Sequence, residues 1–427
     1  MRVRRTALLA LLASAAVHAQ MQMGPPHTFT EEIRGHSNSG TSAEPNSVPQ
    51  PMWMTMRSGW MLMFHGNAFL ADTQQSSPRG HDQLFSTNWV MPMAQRQIGP
   101  GQLTLRTMLS LEPATVTGRQ YPLLFQVGET AFGKPIVDGQ HPHDFVMEAA
   151  ALYDLSLPDK TLLSLYLAPV GDPAIGPIAY PHRASALEDP VATLGHHQED
   201  STHISDDVVT LGLTHDWQRG GIRLEASGFH GREPNEHRWQ VQQGAIDSWS
   251  ARLTLQPGEN WSGQLSCARL RSPEALYPGE DQARTTASVM YNRPFRAGNW
   301  TSTLAWGRTR SLADDVIQNS YLAESLVRFR QNNHAWTRIE NDDRTTELLL
   351  GERPIPPGFS EGPAGRVQAY TFGYDRDLPL VPRFATALGA QVTAYTAGSR
   401  LATVYGSDPV GVVFFLRLRP ASKGSNH

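Results

Sequence analysis

The sequence predicts an all-β chain, an antiparallel transmembrane β-barrel of about sixteen strands with short periplasmic turns and long extracellular loops. Three observations lead there. Apolar and polar residues alternate with period two in runs of about ten residues, the length of a tilted membrane-crossing strand. The runs recur along nearly the whole chain. The connections between them alternate strictly between short and long, as they do when one rim of a barrel carries turns and the other carries loops.

The chain opens with "MRVRRTALLALLASAAVHA": basic residues Arg2, Arg4 and Arg5, an apolar stretch from Thr6 to Val17, and small residues up to Ala19. This is the pattern of a secretory signal peptide over 1–19, cut after Ala19. Residues 20–58 follow, a segment carrying Met and His and including "GHSNSGTSAEPNSVPQP". Its Pro, Ser, Asn and Gly content predicts a flexible periplasmic tail rather than a plug. The barrel is expected over 59–419 and a C-terminal extension over 420–427. Cys267 is the single cysteine and forms no internal disulfide, and no later stretch reaches 18 uninterrupted apolar residues. The net charge of −4 is mild and gives no reason to expect a nucleic-acid partner.

Strands are expected near 59–71, 84–94, 101–112, 145–157, 161–170, 207–217, 221–231 and 245–256, then near 259–270, 281–293, 298–309, 320–329, 334–342, 365–376, 383–395 and 409–419. In "SWSARLTLQ", Trp249, Ala251, Leu253 and Leu255 share one face while Ser248, Ser250, Arg252 and Thr254 share the other. The last run sets Val410, Val412, Phe414, Leu416 and Leu418 against Gly411, Val413, Phe415, Arg417 and Arg419. Trp217, Trp261 and Trp300 flank short turns, where an interfacial aromatic girdle would lie.

The signal peptide, the paired strands with alternating loop lengths and the closing run "VGVVFFLRLRP" resemble Gram-negative outer-membrane β-barrel proteins of the porin type. The Met- and His-bearing amino-terminal region resembles the outer-membrane copper-resistance proteins of the B type. These resemblances imply an outer-membrane location after export, contact with outer-membrane lipid and with the assembly machinery, and a monomer or homotrimer. They also imply a porin-like channel for small solutes with a role in copper or other soft-metal handling.

The metal reading rests on residue type. Thioether sulfur suits Cu(I), and imidazole suits copper and zinc. In the first strand Trp60, Leu62, Phe64, Ala68 and Leu70 form the lipid face, which turns Met61, Met63 and His65 to the lumen. Met108 has the lumen parity of Arg106, whereas Met91 and Met93 fall with Phe85 and Trp89 on the expected lipid side. Met52, Met54 and Met56 precede the first strand, in the segment that also holds Met21, Met23, His27 and His36. Two long loops add His141 and His143 in "DGQHPHDF", and His182, His196, His197 and His203 with Glu199 and Asp200. No cofactor is required, and a copper ion is the expected ligand. The rival readings are an outer-membrane lipid or envelope hydrolase working through a loop Ser–His pair such as Ser201 or Ser205 with a neighbouring histidine, and a non-conducting structural or adhesive barrel. No P-loop or H-E-x-x-H motif is present, and no catalytic residue is assigned.

Overall fold

Alternation decides the architecture. The computed structural model describes residues 28–116, 120–131, 134–202, 206–275, 277–344 and 365–421, so the expected signal peptide, His27 and His203 lie outside the described residues. In chain order the elements are α1 (Phe29–Gly35), β1 (Trp53–Arg57), β2 (Trp60–Gln75), β3 (Gln83–Phe85), β4 (Asn88–Ile98), β5 (Gly101–Leu109), α2 (Glu112–Thr115), β6 (Tyr121–Ala131), β7 (Lys134–Gln140), β8 (Val146–Leu157), β9 (Thr161–Val170) and α3 (His196–Glu199). The second half runs β10 (Asp206–Trp217), β11 (Gly220–His230), β12 (Ser248–Gly258), β13 (Trp261–Leu270), β14 (Gln282–Phe295), β15 (Gly298–Ser311), β16 (Ile317–Phe329), β17 (Asn333–Arg344), β18 (Gly365–Leu378), β19 (Phe384–Ala397), α4 (Ser399–Tyr405) and β20 (Val410–Pro420).

Strands β2, β4, β5 and β8 to β20 pair antiparallel with their neighbours, and β20 returns to β2 from Ala68↔Leu418 to Gln75↔Gly411. The result is a closed 16-strand antiparallel barrel. Closure leaves no strand edge unpaired in the ring. Below the β2–β20 ladder, β1 pairs with the start of β2 from Trp53↔Phe64 to Arg57↔Trp60. Strand β3 continues the line of β4 after a break and pairs with β2 at Ala71–Thr73.

The register sorts side chains by face. Leu224, Leu253 and Leu265 lie opposite one another across β11, β12 and β13, on the outer parity. One residue along, Glu225 and Arg252 are opposed on the inner parity, joined at 2.8 Å and buried. Leu163, Leu211, Leu224, Leu265, Leu304, Phe372 and Phe414 are among the exposed outer residues. An apolar belt running round the whole barrel exceeds what a water-facing surface carries and matches a lipid-facing one. Trp217, Trp261 and Trp300 are exposed beside the short turns, with Tyr291 packed between Trp261 and Trp300, forming a girdle at that rim.

The interior is packed with protein. The loop after β9, residues 171–202, folds inward and is almost wholly buried. The β6–β7 hairpin and α4 pack with Phe69, Trp336 and Phe415 of the wall in one apolar cluster. Residues 28–51 also enter the lumen, which corrects the expected flexible tail. Their polar composition gives no local periodicity, but wall side chains satisfy their backbone. Arg106 donates to the carbonyls of His36, Asn38 and Gly40, Gln256 to that of Glu44, and Ser262 to that of Ala43. A polar segment that finds such partners is ordered by tertiary contacts, not by its own pattern.

Candidate soft-metal site in the lumen

The barrel register gathers the methionines. Met54 lies opposite Met63, Met63 opposite Met93, and Met93 opposite Arg106, a row across four strands. In the next inward-facing row His65 lies opposite Met91, and Met108 lies opposite Glu148. Met54, Met63, Met91, Met93, Met108 and Trp89 form one buried cluster, with Met52, Met61 and Met147 packed against it. Met91 and Met93 therefore face inward, opposite to the sequence expectation. The outer residues of β4 are Val90, Pro92 and Ala94, so the more apolar set lines a packed lumen rather than lipid. The rule that apolar side chains face lipid holds for a wet pore and fails where the lumen is itself a packed core.

The inward loop completes the cluster. His182 brings its Nε2 to 2.9 Å from Met108 Sδ. Its ring lies 4.0 Å from that of Trp89 and 5.7 Å from that of His65, measured between centroids. His65 is 5 % exposed, and its Nε2 is buried without a hydrogen-bond partner among the described residues. Leaving a buried ring nitrogen unpaired costs about 1–3 kcal/mol, a cost that a bound cation would remove. Burial, then the neighbouring His65 and Arg106, holds the His182 imidazole well below its ordinary protonation range. A neutral imidazole is the form that ligates metal. The nearby Arg106 does not leave a net positive charge, because Glu148 meets it at 2.7 and 2.6 Å. Thioethers and neutral imidazoles around one small buried space suit a soft monovalent cation.

The other expected ligands divide. Met52, Met54, Met61, Met63 and His65 belong to this cluster, whereas Met56, opposite Met61 at the end of β1, is 46 % exposed and lies outside it. His141 and His143 border a cavity shared with Met108 and His182, and His196 and His197 lie outside that cavity's lining. Gln140 links His141 to His196. His143 Nδ1 lies 2.8 Å from Glu112, and its Nε2 lies 3.1 Å from the Tyr180 hydroxyl. Burial keeps His141 and His197 below the ordinary imidazole range. Among the described residues, the ligand atoms of three His or carboxylate groups converge within 4.8 Å at Glu188, His334 and Asp375. Arg417 and Arg419 already hold those carboxylates, at 2.7 Å, 3.0 Å and 2.6 Å, so that set is an ion-pair latch rather than a cation site.

Met91, Met93 and Trp89, expected on the lipid side, complete the site with Met108 and His182. One signal was available. "MPM" at 91–93 repeats the Met-x-Met of 61–63 on the next strand, and adjacent strands of a barrel bring such repeats together.

No protein-family model matches the sequence, and no curated protein matches it. Solved porin structures are similar to it in shape. An anion-selective porin from Comamonas acidovorans is 11% identical, with 84% of this chain and 99% of that one covered and a TM-score of 0.48. OmpF of Salmonella typhi, solved with daunomycin, is 9% identical, with 85% and 99% covered and a TM-score of 0.46. OmpT of Vibrio cholerae is 7% identical, with 86% and 99% covered and a TM-score of 0.45.

Two small cavities flank His182. One of about 50 Å³ reaches Met108, His141, His143 and Met147. The other, of about 30 Å³, reaches His65, Trp89 and Gln50. A larger cavity of about 270 Å³ at the barrel mouth shares His141 and Arg238 with the first. Histidine and methionine thus border successive cavities from the mouth to mid-lumen.

Proposed function

We propose that this chain is an outer-membrane barrel of the Gram-negative envelope that binds a soft monovalent cation, Cu(I) first, in its lumen and passes it between the two faces of the membrane. One observation carries the reading: His65 Nε2, buried and without a partner among the described residues, lies beside the same methionine cluster that His182 enters through Met108. A packed barrel needing only stability would fill this space with Leu, Ile or Val, whose rotamers are better defined. Methionine adds polarisable sulfur at a cost in rigidity. The small cavities beside His182 support selective passage rather than general diffusion. The apolar belt and aromatic girdle support outer-membrane residence, and the signal-peptide pattern of residues 1–19 supports export.

X-ray absorption at the copper edge of Cu(I)-loaded, purified barrel tests the reading. Mixed sulfur and nitrogen scatterers, with the nitrogen contribution lost in a His65→Ala, His182→Ala variant, are expected. A spectrum of oxygen and nitrogen alone overturns it.

A further inference from the structure

Two segments fill the lumen from opposite ends, and they are held in different ways. The amino-terminal strap enters beside the short turns, where Thr30 meets Asp216 at the end of β10. It rises to Gly40, whose backbone is left-handed (φ 58°) and where an added Cβ would lie 2.6 Å from Cβ of Asp172 at the start of the inward loop. It then descends to Ser47, which donates its backbone N–H to the carbonyl of Glu259 in a short turn at 3.0 Å. Strap and inward loop therefore meet at mid-lumen.

The wall arginines that grip the strap already have their charges matched on the wall. Arg106 is paired with Glu148, and Arg252 with Glu225. Only their spare N–H groups reach the strap, at the carbonyls of His36 and Gly40 (2.8 and 2.6 Å) and at the hydroxyls of Thr41 and Ser42 (2.9 and 2.7 Å). Gln256 and Asn292 hold Asn46 and Ser47 through neutral amides at 2.7 Å. Water can take over each of these bonds. The inward loop is different: Arg419 finds its carboxylate on the loop, at Glu188, while the loop's Arg183 and Asp189 find theirs on Glu324 and Arg338 of the wall. Withdrawing the loop would strand buried charges on both sides. Withdrawing the strap parts its His36 from Asp154 of β8, 2.5 Å away, but Asp154 keeps the Ser164 hydroxyl at 2.6 Å, and the Arg106–Glu148 and Arg252–Glu225 pairs stay intact.

We propose that residues 28–51 are a displaceable inner gate. The strap leaves the lumen towards the short-turn rim while the inward loop stays in place. Its pivot is the "VPQP" stretch at 48–51, next to β1, which remains paired to β2. Ser37, Asn38, Val48 and Gln50 of the strap wall off the cavity that touches His65 and His182, so its departure opens that side to the rim. This inference concerns the moving part and stands whether or not the cluster binds metal.

Hydrogen–deuterium exchange on the full mature barrel in micelles reads the gate directly. Amides of 37–44 should exchange at least tenfold faster than those of 174–194 in the inward loop. An oxidised Ala43→Cys, Ser262→Cys pair in a Cys267→Ser background should abolish that difference, since Ser262 Oγ lies 3.1 Å from the Ala43 carbonyl. Deleting 29–48 should turn a silent or briefly flickering barrel into a steady conductor in planar bilayers. Equal protection of the two segments overturns the proposal, as does a folded deletion variant that stays silent. If the deletion variant does not fold, the exchange comparison decides alone.

Discussion

Replacing Glu188 by Gln tests how the loop that carries His182 is held. The carboxylate meets Arg419 Nη1 at 2.6 Å and Arg417 Nε at 2.7 Å, all three side chains being buried. Arg417 retains Asp375 and Asp377 at 3.0 and 2.9 Å after the change. Among the described residues Arg419 retains only a 3.4 Å contact with His334 Nε2, so its charge is the one left unmatched. Breaking a buried pair in this way costs about 3–5 kcal/mol. Adding Arg419→Met to Glu188→Gln removes the stranded charge and should recover most of that loss. Burial alone would raise the Glu188 carboxyl, but Arg417 and Arg419 overcome it and hold the group below its ordinary value of 4.5. A depressed carboxyl contributes its full stability above that value and loses it as the pH falls below. The gap between wild type and Glu188→Gln should therefore be constant from about pH 7 to 5 and smaller by about 2 kcal/mol at pH 3. Urea unfolding in micelles, followed by tryptophan fluorescence, measures both. A variant within about 1 kcal/mol of wild type at neutral pH, or a gap that does not shrink in acid, refutes the reasoning.

Two further substitutions probe the interior. Met91→Ala should cost about 2–5 kcal/mol because the side chain is fully buried in the methionine cluster. Val90→Ala on the lipid-facing side of the same strand should cost less than about 1 kcal/mol, and equal losses in urea unfolding would put Met91 outside. Gly40→Val forces a branched side chain into a left-handed backbone against Asp172. It should destabilise the strap by about 1–3 kcal/mol, seen as faster amide exchange over 37–48 with the barrel's own unfolding midpoint little changed.

The barrel was legible because a lipid-facing surface imposes period-two alternation on every spanning strand. All sixteen expected runs coincide with barrel strands, from β2 at Trp60–Gln75 to β20 at Val410–Pro420. The contents of the lumen were not legible. The strap "GHSNSGTSAEPNSVPQP" has no period of its own, and its path is written in Arg106, Arg252, Gln256 and Asn292, which lie far away in sequence. Strand β1 is only five residues long and exists because it completes the ladder beneath β20. The site was half legible. The parity of Met63 and His65 followed from the outward Leu62 and Phe64, but Met91 and Met93 sit on a strand whose outer face is the less apolar one. His182 belongs to a loop without periodicity, and only the fold brings it to Met108.

The measurement that bears most directly on the central claim is a competition titration of Cu(I) into purified barrel against a chromophoric chelator. Wild type should bind tightly. The His65→Ala, His182→Ala variant should bind at least tenfold more weakly, and Met56→Leu should match wild type because Met56 lies outside the cluster. Equal affinity in all three proteins would contradict a soft-metal site in the lumen.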